Sequence, residues 1–128
     1  MSVMHVALFR WTPEVTGEQV DEFEKALATM PAAVGCLKSF RFGRDLGERE
    51  ANFDFGVVAE LESADQIHSY LDHPAHVRLV EEYVQKMLAE RKAVQFEFRA
   101  ARPSISAGAN NVATDDEEER NGSRAAQP

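Results

Sequence analysis

Over residues 2–11 the apolar side chains alternate with a period of two. Val3, His5, Ala7, Phe9 and Trp11 share one face; Met4, Val6, Leu8 and Arg10 share the other. The pattern predicts a strand with two largely apolar faces. The period then changes. Val20, Phe23, Leu27 and Met30 recur at helical spacing, and Thr16 with Gln19 has the spacing of a capping box. A helix is expected over residues 16–30, ended by Pro31. Phe40 and Phe42 alternate with Ser39 and Arg41, which predicts a strand over 36–43; the polar stretch to Asn52 reads as a loop. Phe53, Phe55, Val57, Ala59 and Leu61 predict a third strand over 53–61. Ser63 and Gln66 repeat the capping-box spacing, so a short helix should run to about Leu71. Pro74 suits the first position of a further helix, which would turn Val77, Val80, Val84, Met87 and Leu88 inward. In residues 93–99, Val94, Phe96 and Phe98 alternate with Gln95, Glu97 and Arg99 as a last strand.

The order is β-α-β-β-α-β, with its second helix broken at His73-Pro74. It predicts an α+β, ferredoxin-like fold: a four-stranded antiparallel sheet with helices on one face. The other face of the sheet would then be bare, yet the first strand is apolar on both sides. A large exposed apolar sheet face marks an interface. The simplest closure is a homodimer, sheet against sheet, the two subunits forming a dimeric α/β barrel.

Composition sets further bounds. Residues 1–100 are expected to form the one domain and 101–128 a disordered acidic tail. The tail contains Asp115-Asp116-Glu117-Glu118-Glu119 and lacks large apolar residues to offset its ordering entropy. The net charge of the chain is −8. Residues 1–100 carry 11 Lys+Arg and 17 Asp+Glu, hence −6. Such a surface argues against nucleic acid and against anionic membrane as partners. No apolar run approaches a membrane span, no signal peptide is read at Met1–Val6, and Cys36 is the single cysteine. A cytoplasmic location is expected.

The chemistry concentrates in Tyr70-Leu71-Asp72-His73-Pro74-Ala75-His76. A phenol and two imidazoles, the side chains that move protons near neutral pH, flank a helix-breaking proline. His76 would sit in the first turn of one helix and Tyr70 near the end of the helix before it, so the bend can aim both at one cavity. His5 shares a strand face with Phe9 and can join them from below. Each also has a structural reading: His76 as a buried imidazole bonded to a carbonyl, Tyr70 as an amphipathic residue at the core edge, His73 as a cap at the joint. His68 is expected in solvent. His73 and His76, three apart, with His5 could supply three nitrogen ligands, but Pro74 disturbs the spacing and no carboxylate at a helical offset joins them, so no metal is expected. Cys36 and the histidines carry no haem signature, and no cofactor is expected.

These residues carry a resemblance. The opening His5-Val6-Ala7-Leu8-Phe9-Arg10-Trp11, Gly43, the run Glu60-Leu61-Glu62-Ser63-Ala64-Asp65 and above all Tyr70 to Val77 resemble the stress-responsive A/B barrel family, from about Val3 to Phe98. In a polyketide-cyclising branch of that family, the resemblance implies, the histidine at the place of His76 is a general base and the tyrosine at the place of Tyr70 hydrogen-bonds the substrate. His5 and His73 also match histidines there. Phe55 departs, standing where that branch has a histidine, and the branch's acyl-tail pocket does not carry over.

The expectation is a small homodimeric protein that binds a small ketone or aromatic metabolite. His76 and Tyr70 would be catalytic in cyclase- or isomerase-type acid–base chemistry; His5, His73, Phe9 and Phe55 would contact substrate. Two alternatives stay open: a non-catalytic, stress-associated structural or binding protein, and a cofactor-free monooxygenase whose pocket is lined by Phe9, Trp11, Phe40, Phe55 and Phe96.

Overall fold

A computed structural model describes residues 2–99; the expectation of an acidic tail over 101–128 lies outside them. Strand β1 (Ser2–Trp11) leads through α1 (Gly17–Ala28) and a single turn, α2 (Met30–Ala33), to β2 (Ser39–Arg44). After β3 (Phe55–Leu61) come α3 (Asp65–Leu71) and α4 (Pro74–Leu79). The last helix continues through a π-helical turn (Val80–Val84) and α5 (Gln85–Met87) into β4 (Leu88–Phe98). The sheet is antiparallel in the order β2-β3-β1-β4, the ferredoxin-like arrangement.

Local chemistry explains most boundaries. At the start of α1 the capping box forms: Gln19 N donates to Thr16 Oγ1 at 3.2 Å, and Thr16 N donates to Gln19 Oε1 at 2.8 Å. Pro31 does not end this helix. It stops at Thr29, and the proline sits in the first turn of α2, where its missing N–H costs nothing. The second expected capping box does not form: Ser63 is not a side-chain cap, and Gln66 Oε1 accepts instead from Glu62 N at 3.0 Å. The strands β2 and β3 begin later than the alternation suggests. A turn at Gly35-Cys36 delays β2. Before β3, Asp54 is tied to β1, its N donating to Phe9 O and its Oδ2 accepting from Trp11 N, both at 2.8 Å. In the other direction β4 is longer than expected, starting at Leu88 rather than at residue 93. Leu88 is therefore a strand residue, and Val77 faces outward at 41% exposure.

The sheet has two unlike faces. Val3, His5, Ala7 and Phe9 of β1 and Phe55, Val57, Ala59 and Leu61 of β3 point under the helices and are buried. Phe23 and Leu27 of α1, Ile67 and Tyr70 of α3, Leu79 and Val84 close over them. Phe23 is completely buried, with ring centroids 5.2 Å from Phe55 and 5.7 Å from Trp11. Met4, Val6 and Leu8, with Val58, Val94 and Phe96 in register beside them, lie on the opposite face. No helix among the described residues covers it; Leu8, Val94 and Phe96 are 40%, 54% and 45% exposed. Among the described residues, no helix is long and apolar enough to cross a membrane.

Candidate functional site

The joint between α3 and α4 builds the site. Tyr70 lies in the last turn of α3. His73 follows in an extended conformation, with φ −62° and ψ 136°, and its Nδ1 accepts from Ala75 N at 3.0 Å. An extended residue before proline is what the steric clash of the pyrrolidine ring demands. Pro74 restarts the helix and brings His76 back over Tyr70, ring centroids 4.7 Å apart and edge to face. His5, rising from β1 beneath them, is 6.0 Å from Tyr70 in a similar edge arrangement.

Tyr70, His76 and His5 line one cavity of about 140 Å³ on the covered side of the sheet. Its walls are apolar: Ala7, Phe9 and Val57 from the sheet below, Leu27 from α1, and Leu79, Val80 and Val84 from the last helix. The π-helical turn that supplies Val80 and Val84 is an element that recurs at functional sites. Gln85, Leu88 and Arg91 complete the rim.

Each polar group has a defined protonation state. His76 Nδ1 lies 3.0 Å from Leu71 O. A carbonyl only accepts, so Nδ1 carries the hydrogen and Nε2 keeps its lone pair. Burial holds the His76 imidazole below its ordinary pKa; the bond to Leu71 opposes this, Arg91 reinforces it and Asp72 opposes it. His5 is 2% exposed. Gln95 Nε2 donates to its Nδ1 at 2.9 Å, which leaves the hydrogen on Nε2. Its pKa is pushed down to about 4, first by burial and then by Arg91 and His76. Tyr70 is also 2% exposed, and burial pushes its hydroxyl well above the usual phenol range. That hydroxyl has no hydrogen-bond partner among the described residues. At neutral pH the cavity therefore holds one free basic nitrogen, one imidazole N–H and one phenol O–H.

Of the residues expected at a site, the structure brings His76, Tyr70, His5 and Phe9 together. It places two elsewhere. His73 is the cap of α4 and does not line the cavity. Phe55 packs in the aromatic cluster with Phe23, Trp11 and Phe42 rather than along the cavity wall. The aromatic pocket of Phe9, Trp11, Phe40, Phe55 and Phe96 does not form as a unit: only Phe9 lines the cavity, and Phe96 is on the opposite face. His68 is exposed. Arg91 and Gln95 are the residues that the alternation missed. Both lie on the helix side of β4, in register with Phe9 and His5, and both are exposed. Extending the strand pattern back to Leu88 would have revealed Arg91. Among the described residues no group of three or more His, Cys, Asp or Glu side chains is gathered to hold a metal ion.

Comparison with known proteins adds context. Residues 3–98 match the model of the Stress responsive A/B Barrel Domain. The chain is 28% identical over 79 residues to olivetolic acid cyclase of Cannabis sativa, covering 60% of this chain and 78% of the cyclase. It is 29% identical over 77 residues to the stress-response A/B barrel domain-containing protein HS1 of Arabidopsis thaliana, covering 59% and 71%. Among solved structures, a dimeric ferredoxin-like protein of unknown function from Thermobifida fusca superposes with a TM-score of 0.71 at 45% identity, covering 77% of this chain and 92% of that one.

Proposed function

We propose the following function for a chain that belongs to the stress responsive A/B barrel domain family: it binds a small ketone or aromatic metabolite in the covered cavity and moves a proton on it. The observation that carries this reading is the pairing of a neutral His76, its Nε2 lone pair free, with a buried Tyr70 hydroxyl that has no protein partner, in one apolar cavity. Removing a proton beside a carbonyl needs a base and a donor for the enolate oxygen. His76 Nε2 is the base and the Tyr70 hydroxyl is the donor; His5 Nε2–H is a second donor from below. Burial keeps His76 unprotonated, and so basic, at neutral pH. An intramolecular aldol closure or a keto–enol isomerisation of a polyketide-like compound uses this set, and the similarity to a polyketide cyclase supports that class.

The assembly is a homodimer. Its interface is the open apolar face of Met4, Val6, Leu8, Val58, Val94 and Phe96, and the likeness to a dimeric protein at 45% identity supports it. Light scattering on the eluting peak tests this; a monomer at micromolar concentration contradicts it.

The experiment for the chemistry is solvent deuterium exchange at the carbon next to the carbonyl of an aryl methyl ketone, followed by NMR. Wild-type protein should accelerate exchange and His76→Ala should abolish the acceleration. Equal exchange by both would leave a non-catalytic binding protein as the better account.

A further inference from the structure

The cavity rim holds a charge that the proton-transfer reading does not use. Arg91 sits on the helix side of β4, in register with Phe9 and two residues from Ala93, and is exposed to solvent where it lines the cavity. Its neighbours Glu90 and Lys92 alternate to the other face, where Glu90 pairs with Arg10 at 3.8 Å and with Lys92 at 3.5 Å. Arg91 itself has no carboxylate within ion-pair distance among the described residues. No acidic side chain lines the cavity, so Arg91 is its single permanent charge. Its charge also reaches all three neutral groups: it adds to burial in lowering His5 and His76, and it works against burial, which dominates, at Tyr70. Exposed at the cavity mouth and unpaired among the described residues, the Arg91 guanidinium is open to an anionic group of a ligand.

We infer that the ligand is a one-ring or similarly sized compound bearing a carboxylate, its apolar body between Phe9, Val57 and Val84 and its carboxylate forked on Arg91 at the rim. Size supports this class: an apolar cavity of about 150 Å³ admits one benzene ring, and this one is about 140 Å³. The planar fork of arginine matches a carboxylate in two parallel hydrogen bonds. An acid anchored there leaves its other end for the Tyr70 hydroxyl, the buried donor without a partner. The inference rests on the cavity being a ligand site and adds which ligands it prefers.

Salicylate and salicylamide form the test pair, since they differ mainly in the charge of one group. Each is titrated into the full chain by NMR, with the ring signals of Tyr70 and His76 marking cavity occupancy, for wild type, Arg91→Gln and Arg91→Lys. Wild type should bind salicylate at least about tenfold more tightly than the amide, the order expected from one charge-assisted pair. Arg91→Gln should lose that preference and keep its affinity for the amide, and Arg91→Lys should restore part of it. If both compounds bind the cavity equally in wild type, or if the preference survives in Arg91→Gln, the carboxylate inference falls while the cavity reading stands. If neither shifts the Tyr70 and His76 signals, the cavity reading falls and takes this inference with it.

Discussion

The two faces of the sheet come from the same strands and differ in what they bury. On the covered face, Val3, Ala7, Phe55, Val57 and Ala59 are sealed under α1, α3 and the last helix, and the imidazole of His5 is sealed among them. On the open face, Leu8, Val94 and Phe96 are equally apolar and half in solvent. Apolar character alone does not tell the two apart. Polar groups do: the covered face holds a phenol and two imidazoles that cost free energy to bury, each kept neutral by its surroundings. The open face carries its charges, Arg10, Arg41, Glu60, Glu90 and Lys92, around the apolar patch of Met4, Val6, Leu8, Val58, Val94 and Phe96. In the proposed function the first serves chemistry on a small molecule and the second meets another copy of the chain.

The largest expected effect falls on the covered face. His76→Ala should reduce proton exchange on a bound ketone by about 10²–10⁴, the usual worth of a positioned proton-transfer group, with the dimer intact by light scattering. A loss below about threefold would place the base elsewhere. Phe23→Ala, at the centre of the aromatic cluster, should destabilise the fold by about 3–5 kcal/mol, read from urea unfolding.

The open face should respond in the opposite way. Phe96→Glu should leave the helix-covered core intact by circular dichroism but shift the protein to a monomer in sedimentation, because it sets like charges on a closely packed apolar contact. A dimer that survives this substitution would mean that some other surface holds the subunits together.

His5 gives the comparison a pH signature. Its imidazole stays neutral in the fold down to about pH 4, whereas in the unfolded chain it takes up a proton near the ordinary histidine value of 6.5. Between those values the unfolded chain binds more protons, so stability falls as pH drops through the window and this contribution levels off below it. The full difference amounts to about 3 kcal/mol. His5→Phe should flatten that part of the curve; an unchanged slope would show that other groups produce it. The smallest effect is local: Thr16→Ala removes the cap of α1 and should cost about 1 kcal/mol.

Much of the fold was legible because alternation and helical spacing are short-range signals. β1, α1 with its capping box, and the break at Pro74 all follow from neighbours in the chain. The boundaries that went astray were decided by contacts from afar, such as the ties of Asp54 to β1 that delay β3. Tyr70 and His76 were legible because they lie only six positions apart and a proline sets the bend. Gln95 and Arg91 were not. Gln95 reaches its partner His5 across 90 residues, and Arg91 hides in the charged run Glu90-Arg91-Lys92, where β4 does not announce itself. Phe55 was misassigned to the cavity because sharing a face with Val57 does not mean sharing a wall: Phe23 and Trp11 enclose it first.

The measurement that bears most directly on the covered face as a reactive site is ¹⁵N NMR of the histidine rings, followed through pH and through titration with an aryl methyl ketone. The account predicts that His76 is a neutral Nδ1–H tautomer titrating below 6.5, and that its Nε2 signal moves when the ketone enters. A His76 that titrates at or above the ordinary histidine value, or an Nε2 signal indifferent to saturating ketone, would contradict it.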